Sequence, residues 1–302
     1  MDFSVIKTRV ANEVGLDTTT DATILGTWVN AAYKQVCGLY NWPWLLKHGT
    51  IQTVADRTTG TVSINSGSTS LTFSSAPTVS VANQYMIQFT ATSDDWYLIS
   101  SHTGSSTSAT LSVPFVGSSN ISGANYILRK VFYSMPSDLD RIIDVRQAIT
   151  DTKLGAVDIR TFDAYLPDPT ATGNPVYYST VGMDTNKYWQ ITMYPTPTAI
   201  INLQIRYLQI PADLTSTDTP ILPEKFHDIL VFGALYLFGH PYIDDTRVRE
   251  AQARYLDLLN EMKLMCNPTP DQLTVLQPWD TRPTRPHGRL MYPSNYPQYW
   301  GY

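Results

Sequence analysis

Two segments in the last third of the chain show the apolar spacing of amphipathic helices. The first is predicted to begin at Pro223, where a missing N–H costs nothing, and to end at Gly239. The second is predicted to begin at the Asp244-Asp245 pair, because acidic residues suit a helix N-terminus, and its apolar stripe runs to Met265. Neither stripe can remain exposed to water, so we expect this pair of helices to pack against other parts of the chain.

The N-terminal end predicts two further helices. A short one carries apolar residues to Val14 and closes at Gly15, and a longer one starts near Asp21. The longer helix must end before Pro43, and we expect Trp42 and Trp44 to seal the helical core there rather than to stack on a ligand. Its predicted buried side comprises Ile24, Leu25, Trp28, Ala32, Val36 and Leu39.

Between the two helical ends, the apolar period changes to two. Short alternating segments separated by Gly, Ser and Asn turns predict a small antiparallel β-barrel or sandwich over residues 48–133. A second small β region is predicted from strands at Ile142–Val145, Val176–Tyr178, Trp189–Tyr194 and Leu203–Tyr207. The predicted fold class is therefore α+β, a bundle made of the N- and C-terminal helices with an inserted barrel or sandwich.

The last segment, residues 267–302, contains seven prolines and should be extended. It is also rich in aromatic residues, unlike a free disordered tail. Ordering it costs about 1–2 kcal/mol per residue in backbone entropy, so it must bury surface. We predict an arm that packs outside its own domain; the alternative is a tail folded over its own subunit. The predicted partner-contacting residues are Arg282, Arg285, Arg289, Tyr292, Tyr296, Tyr299, Trp300 and Tyr302.

These patterns divide the chain into five parts. The predicted boundaries are 1–47 and 222–266 for the helical parts, 48–133 and 134–221 for the β parts, and 267–302 for the arm.

Composition restricts the possible functions. Charged residues make up only 16% of the chain and the net charge is −5, which argues against a dedicated nucleic-acid binder. Arg282, Arg285 and Arg289 among aromatic residues would suit single-stranded bases, but equally a protein–protein contact. Cys37 and Cys266 are expected to be buried thiols, a disulfide being the alternative. With no long apolar run and no signal-peptide layout, we expect a soluble protein without membrane partners.

Candidate chemistry is sparse. The sequence has no nucleophile elbow, phosphate loop or dinucleotide-binding glycine motif, and none of its five histidines has a second ligand at metal-binding spacing. Asp138 with Asp140 beside Arg141 could form an acid pair, although a turn and an ion pair are favoured. Asp94-Asp95 suits a hairpin turn, and His227-Asp228 suits a polar helix edge better than half a catalytic triad. We therefore predict no enzyme, cofactor or metal.

Four stretches together resemble the head-to-tail adaptor (connector) proteins of tailed bacteriophages, especially the short-tailed phages. Their order and spacing carry the resemblance, which spans about residues 20 to 265, and the 48–133 region looks like an insertion found in some relatives. The stretches are Asn41-Trp42-Pro43-Trp44-Leu45, Tyr133–Asp138 before Arg141-Ile142-Ile143, Trp189-Gln190-Ile191 running to Pro197, and Leu222-Pro223-Glu224 with Phe226-His227-Asp228.

The resemblance implies a virion structural protein of the neck, made in the host cytoplasm. It implies a homo-oligomeric ring, typically of twelve copies, that docks beneath the portal protein after DNA packaging and presents a platform to the tail nozzle protein. DNA would only pass through its channel, which a weakly charged, slightly acidic surface would permit.

Two other functions remain open from the sequence. A carbohydrate- or receptor-binding virion protein would use the Ser/Thr-rich β region with Trp96 and Tyr97. A tail-associated hydrolase would depend on Asp138 or Asp140.

Overall fold

The computed structural model of the protein describes residues 1–90, 95–165 and 171–266, with the backbone alone at 163–165. Five α-helices lie in these ranges: α1 (Phe3–Val14), α2 (Ala22–Gly38), α3 (Ile159–Tyr165), α4 (Asp228–Phe238) and α5 (Asp245–Cys266). Short 3₁₀ turns, Pro43–Leu45 and Glu224–Phe226, follow α2 and precede α4.

The ends of α1 are set by local chemistry. Asp2 accepts a hydrogen bond from the backbone N–H of Val5 at 2.9 Å, which caps the first turn. Gly15 has φ of 72°, a left-handed conformation that glycine adopts without strain, and its N–H bonds to the carbonyl of Ala11. The predicted end of this helix at Gly15 is confirmed.

The four longer helices share one apolar core. Gly233 of α4 allows a close approach, because a Cβ atom there would lie 3.2 Å from both Ala32 of α2 and the ring of Tyr255 of α5. The predicted buried side of α2 is correct at Leu25, Trp28, Ala32 and Val36 but wrong at its two ends, since Ile24 and Leu39 are exposed. Apolar spacing locates a helix face, but it does not show how far the neighbouring elements extend along it.

Fourteen strands form three sheets in the described residues. A three-stranded sheet has the order β1-β14-β10, a four-stranded sheet β11-β12-β13-β9, and a seven-stranded sheet β7-β2-β3-β6-β5-β4-β8. The strands are β1 (Leu46–Gln52), β2 (Val62–Ile64), β3 (Ser70–Phe73), β4 (Tyr85–Phe89), β5 (Trp96–His102), β6 (Ser108–Leu111), β7 (Ile121–Ala124), β8 (Tyr126–Lys130), β9 (Tyr133–Ser134), β10 (Leu139–Gln147), β11 (Gly155–Ala156), β12 (Tyr177–Met183), β13 (Trp189–Tyr194) and β14 (Asn202–Gln209).

The three- and four-stranded sheets pack against each other around a shared core. Val145 of β10 and Ile205 of β14 meet Ile191 of β13, and all three side chains are fully buried. Side chains alternate along a strand, so the next residues of β1, β10 and β14 point away from this core. The burial pattern of β14 shows this alternation, with Leu203, Ile205 and Tyr207 buried.

The seven-stranded sheet curls around its own apolar core, which includes Phe89, Tyr97 and Phe115. Its first and last strands in space, β7 and β8, are separated in the chain by one residue, Asn125. The chain enters this sheet at Arg57, whose backbone exchanges two 2.9 Å hydrogen bonds with Leu128 near the exit. The entry and exit of the sheet therefore lie side by side.

The predicted α+β fold, a helical bundle with an inserted barrel or sandwich, is wrong. The described part of the chain is mainly β, with three sheets and only five α-helices. The reason is the pairing of β1 with β14. β1 follows α2 directly, and its residue Gln52 pairs with Asn202 of β14, which lies 150 positions later in the chain. Periodicity within one segment gives no information about such distant partners. Leu208 of β14 also lies in the helical core, so the helices pack on the β framework.

Candidate interaction surfaces

The eight residues predicted to contact a partner all follow Cys266 and lie outside the described residues. They are Arg282, Arg285, Arg289, Tyr292, Tyr296, Tyr299, Trp300 and Tyr302. Asp94, which was predicted to lie in a hairpin turn with Asp95, is also outside the described residues.

Asp138 and Asp140, the candidate acid pair, are not brought into one site. Asp138 accepts hydrogen bonds from Lys47 Nζ at 2.6 Å and from the Tyr207 hydroxyl at 2.8 Å. Burial alone would raise the pKa of Asp138, but these two donors outweigh it and lower the pKa below its ordinary value. Asp140 instead lines a cavity of about 390 Å³ with Arg141. Asp138 is thus held as a carboxylate in a structural ion pair, which is a poor general acid.

His227 has a structural role. Its ring is 1% exposed, Nε2 lies 2.9 Å from the Leu222 carbonyl oxygen, and Nδ1 lies 2.8 Å from the amine of Met1. The neighbouring Asp228 pairs with Arg9 of α1. The two residues therefore have separate partners and do not form part of a triad.

The aromatic residues considered for ligand stacking are largely covered. Tyr97 is 4% exposed, and the Arg129 guanidinium lies 4.6 Å from the centre of the Trp96 ring. Trp42 is fully buried, donates from Nε1 to the Val36 carbonyl at 2.7 Å and stacks on Trp44 at 5.0 Å. The prediction that Trp42 seals the helical core is confirmed.

Both cysteines are free thiols, but the expected burial is correct only for Cys37, since Cys266 is half-buried. Cys37 is buried in α2, and burial raises its pKa to about 12, so this thiol is unreactive at neutral pH.

Asp144 lies on the outer face of the three-stranded sheet and is gripped by two arginines. Its side chain is 4% exposed, although the strand face around it is open. Arg206 donates from Nε at 2.8 Å and also from Nη2, and Arg146 donates at 3.3 Å. The Arg206 hydrogen bond, more than any other contact, lowers the pKa of this carboxyl group. Sequence analysis missed this cluster, because the three residues belong to strands whose pairing it could not predict.

One end of the three-stranded sheet carries an apolar tip, which we define as Val54, Ile149 and Ile200. The strands there end at Gln52 and Gln147 and begin at Asn202, so the three residues sit on adjacent turns. Adjacent strands are about 4.8 Å apart. Exposed fractions of 38%, 90% and 63% for these β-branched side chains are unusual for a surface that meets only water.

Strand β1 is an edge of the three-stranded sheet. All seven of its residues pair with β14 on one side, and in the described part of the chain they make one further backbone hydrogen bond, from the Leu46 N–H to the Pro43 carbonyl. Its side chains are exposed or half-buried along its whole length. An edge of this kind offers unpaired N–H and C=O groups to another strand.

No group of three or more His, Cys, Asp or Glu side chains that could hold a metal occurs among the described residues. Across those same residues, none of the helices is both long enough and apolar enough to cross a bilayer.

A family model described as SU10 adaptor protein matches residues 1–282. No curated protein matches the chain.

Proposed function

Because the chain belongs to the SU10 adaptor protein family, it is a phage head-to-tail adaptor and a structural protein of the virion neck, and we propose that its copies form a ring joining the portal to the tail nozzle. The observation that carries the proposal is the extent of the match, which covers the described fold and continues into the arm as far as Arg282. We expect twelve copies in the ring.

In this proposal the helical parts, residues 1–47 and 222–266, meet the portal together with the arm 267–302. The β parts, 48–133 and 134–221, face the nozzle or the exterior, and the apolar tip is the protein contact within them. Arginine and tyrosine side chains in the arm supply the kind of anchors that dominate protein–protein binding energy. Many such arms around a ring add avidity to modest single contacts.

The chemistry of the surface supports a passive channel. The net charge of −5 leaves no excess of basic groups to hold phosphates, so DNA would pass without sticking. One of the two candidate acids is also engaged, since Asp138 accepts hydrogen bonds from Lys47 and Tyr207. A sugar-binding role for the curled sheet receives no support from Tyr97, whose ring is buried.

Docking onto DNA-filled heads that lack this protein tests the proposal. We expect the full chain to sediment with the heads, and a variant ending at Trp279 to stay folded by circular dichroism but to remain in the supernatant. The triple variant Arg282→Ala, Arg285→Ala, Arg289→Ala should also fail to dock. The matched control replaces Arg141 and Arg160, exposed arginines of the 134–221 part that the proposal places away from the portal, with alanine and should dock normally.

Two outcomes would contradict different parts of the proposal. Normal docking of the variant ending at Trp279 would refute the role of the arm. Absence of docking by the full chain, under conditions that preserve the heads, would refute the adaptor ring itself.

A further inference from the structure

The open edge of β1 is long enough to accept another strand. Seven residues, Leu46–Gln52, pair with β14 on one side, and in the described ranges their other backbone groups have no partner apart from the Leu46 N–H, which donates to the Pro43 carbonyl. Edge strands of soluble proteins are usually short, bulged or rich in charge. β1 has no register shift against β14 and contains a single charged residue, Lys47, if His48 is neutral. The edge is therefore poorly protected against pairing.

The inner side of β1 is also incompletely covered. Ile51 points towards the core between the two packed sheets but is only half-buried, whereas Ile205 beside it on β14 is fully buried. Tyr207 and Pro136 pack closely over Gly49 in the middle of the strand, because a Cβ atom there would lie 3.2 Å from the Tyr207 ring and 3.5 Å from Pro136. A further strand would extend the sheet by about 4.8 Å on this open side.

The chain contains a segment of matching length beyond α5. Prolines occur at 268, 270 and 278, and residues 271–277 between them contain none. Proline cannot donate to a strand ladder, so a proline-free segment is a requirement for pairing. In a strand, this segment would place Asp271, Leu273, Val275 and Gln277 on one face and Gln272, Thr274 and Leu276 on the other.

We propose that residues 271–277 of one copy add to the open edge of β1 of the neighbouring copy as an antiparallel strand. The inference rests on the proposed ring, and it names the contact that repeats between its subunits. One register fits both partners: Leu276 beside the exposed Leu46, Thr274 beside His48, and Leu273 beside Gly49. Leu273 and Val275 then face the inner side together with Asp271, which lies beside Ile51, and Gln272, Thr274 and Leu276 continue the outer side of the sheet.

The neighbouring copy is the occupant that suits a closed assembly. A donor segment and an acceptor edge at different places on the same subunit make a heterologous contact, which closes into a ring when the rotation permits. Four residues, 267–270, separate the segment from Cys266 and reach at most about 14 Å. The donated strand therefore pairs close to the C-terminal end of α5 of its own subunit, at a boundary between two subunits.

Disulfide trapping between two differently substituted copies tests the pairing. In a Cys266→Ser background, one preparation carries His48→Cys and another carries Thr274→Cys; Cys37 stays because it is buried. Opposite residues of an antiparallel pair have Cα atoms about 4.5–5.5 Å apart, which a disulfide can bridge. We expect the mixture, bound to DNA-filled heads and oxidised, to give a covalent dimer on a non-reducing gel.

The matched control moves the acceptor cysteine one strand inwards. Gln204 of β14 is exposed on the same face of the sheet as His48, but β14 lies about 10 Å from the added strand. A Gln204→Cys copy mixed with the Thr274→Cys copy should therefore give at least tenfold less dimer. A second cysteine pair, Leu276→Cys in one copy and Leu46→Cys in the other, tests the backbone hydrogen bond of residue 274. Adding Thr274→Pro to the Leu276→Cys copy removes the backbone donor and should lower the yield of covalent dimer at least tenfold. Adding Thr274→Val instead should leave the yield unchanged.

The outcomes separate this inference from the proposed function. Dimer with His48→Cys but not with Gln204→Cys supports the strand addition. Docked copies that give no dimer, or that crosslink only within a single chain carrying both substitutions, overturn it while leaving the adaptor ring intact. Copies that do not dock at all would count against the ring itself.

Discussion

Removing the carboxylate of Asp56 should leave the guanidinium of Arg129 largely buried in the curled sheet without a countercharge. Arg129 donates three hydrogen bonds to Asp56, at 3.1, 3.2 and 2.7 Å. The side chains of Arg129 and Asp56 are only 9% and 17% exposed. This pair fastens the segment leaving β1 onto β8, so it joins the sheet to the rest of the molecule.

The expected cost follows from that burial. Breaking a buried ion pair by removing one partner costs about 3–5 kcal/mol. Arg129 keeps its contact with the Trp96 ring, so we expect the lower end of this range, about 3 kcal/mol, for Asp56→Ala. With about 1–3 kcal/mol per molar of urea, the unfolding midpoint should fall by roughly 1 M or more.

A matched control is the exposed pair Lys34–Asp213, whose side chains are 49% and 55% exposed. Lys34→Ala should cost about 0–1 kcal/mol. The double variant Asp56→Leu, Arg129→Met removes both charges and should recover most of the loss. Urea unfolding followed by circular dichroism measures all three. Equal midpoints for Asp56→Ala and Lys34→Ala would refute the argument, as would a double variant no more stable than Asp56→Ala.

Two further predictions concern the helical core and the acid limb of stability. Trp42→Ala removes a fully buried ring and its hydrogen bond to Val36, so the free energy of unfolding should fall by about 3–5 kcal/mol in urea titrations; a loss under 1 kcal/mol would contradict the packing. The folded-state pKa of Asp144 lies below its ordinary value of 3.8, so its contribution is complete above the unfolded pKa and is lost as pH falls through the folded one. Asp144→Asn should therefore flatten the pH dependence of stability below about pH 4, measured by thermal unfolding, whereas an unchanged acid limb would contradict the grip of Arg206.

Local structure was predictable wherever the deciding chemistry is local. The end of α1 at Gly15 and the start of α5 beside Asp244, which accepts from the backbone N–H of Arg247, were both visible in the sequence. The strand at Trp189–Tyr194 was predicted with its bounds correct. In each case the residues that determine the structure are within a few positions of one another.

Long-range structure was not predictable by the same reasoning. The pairing of β1 with β14 decides the fold, and it joins residues 150 positions apart. The hydrogen bond between Arg206 and Asp144 also depends on a distant pairing, because Asp144 is in β10 and Arg206 is opposite it in β14. The predicted contact residues of the arm lie outside the described part of the chain, so their role stays a prediction.

The side-by-side entry and exit of the curled sheet have a consequence for how such a protein can diversify. Because Arg57 and Leu128 are bonded to each other, everything between them is, for the rest of the molecule, a single long loop. Exchanging it leaves the threading of the other two sheets untouched. The sequence of the curled sheet can thus change repeatedly in evolution while the other two sheets and the helical core keep their structure.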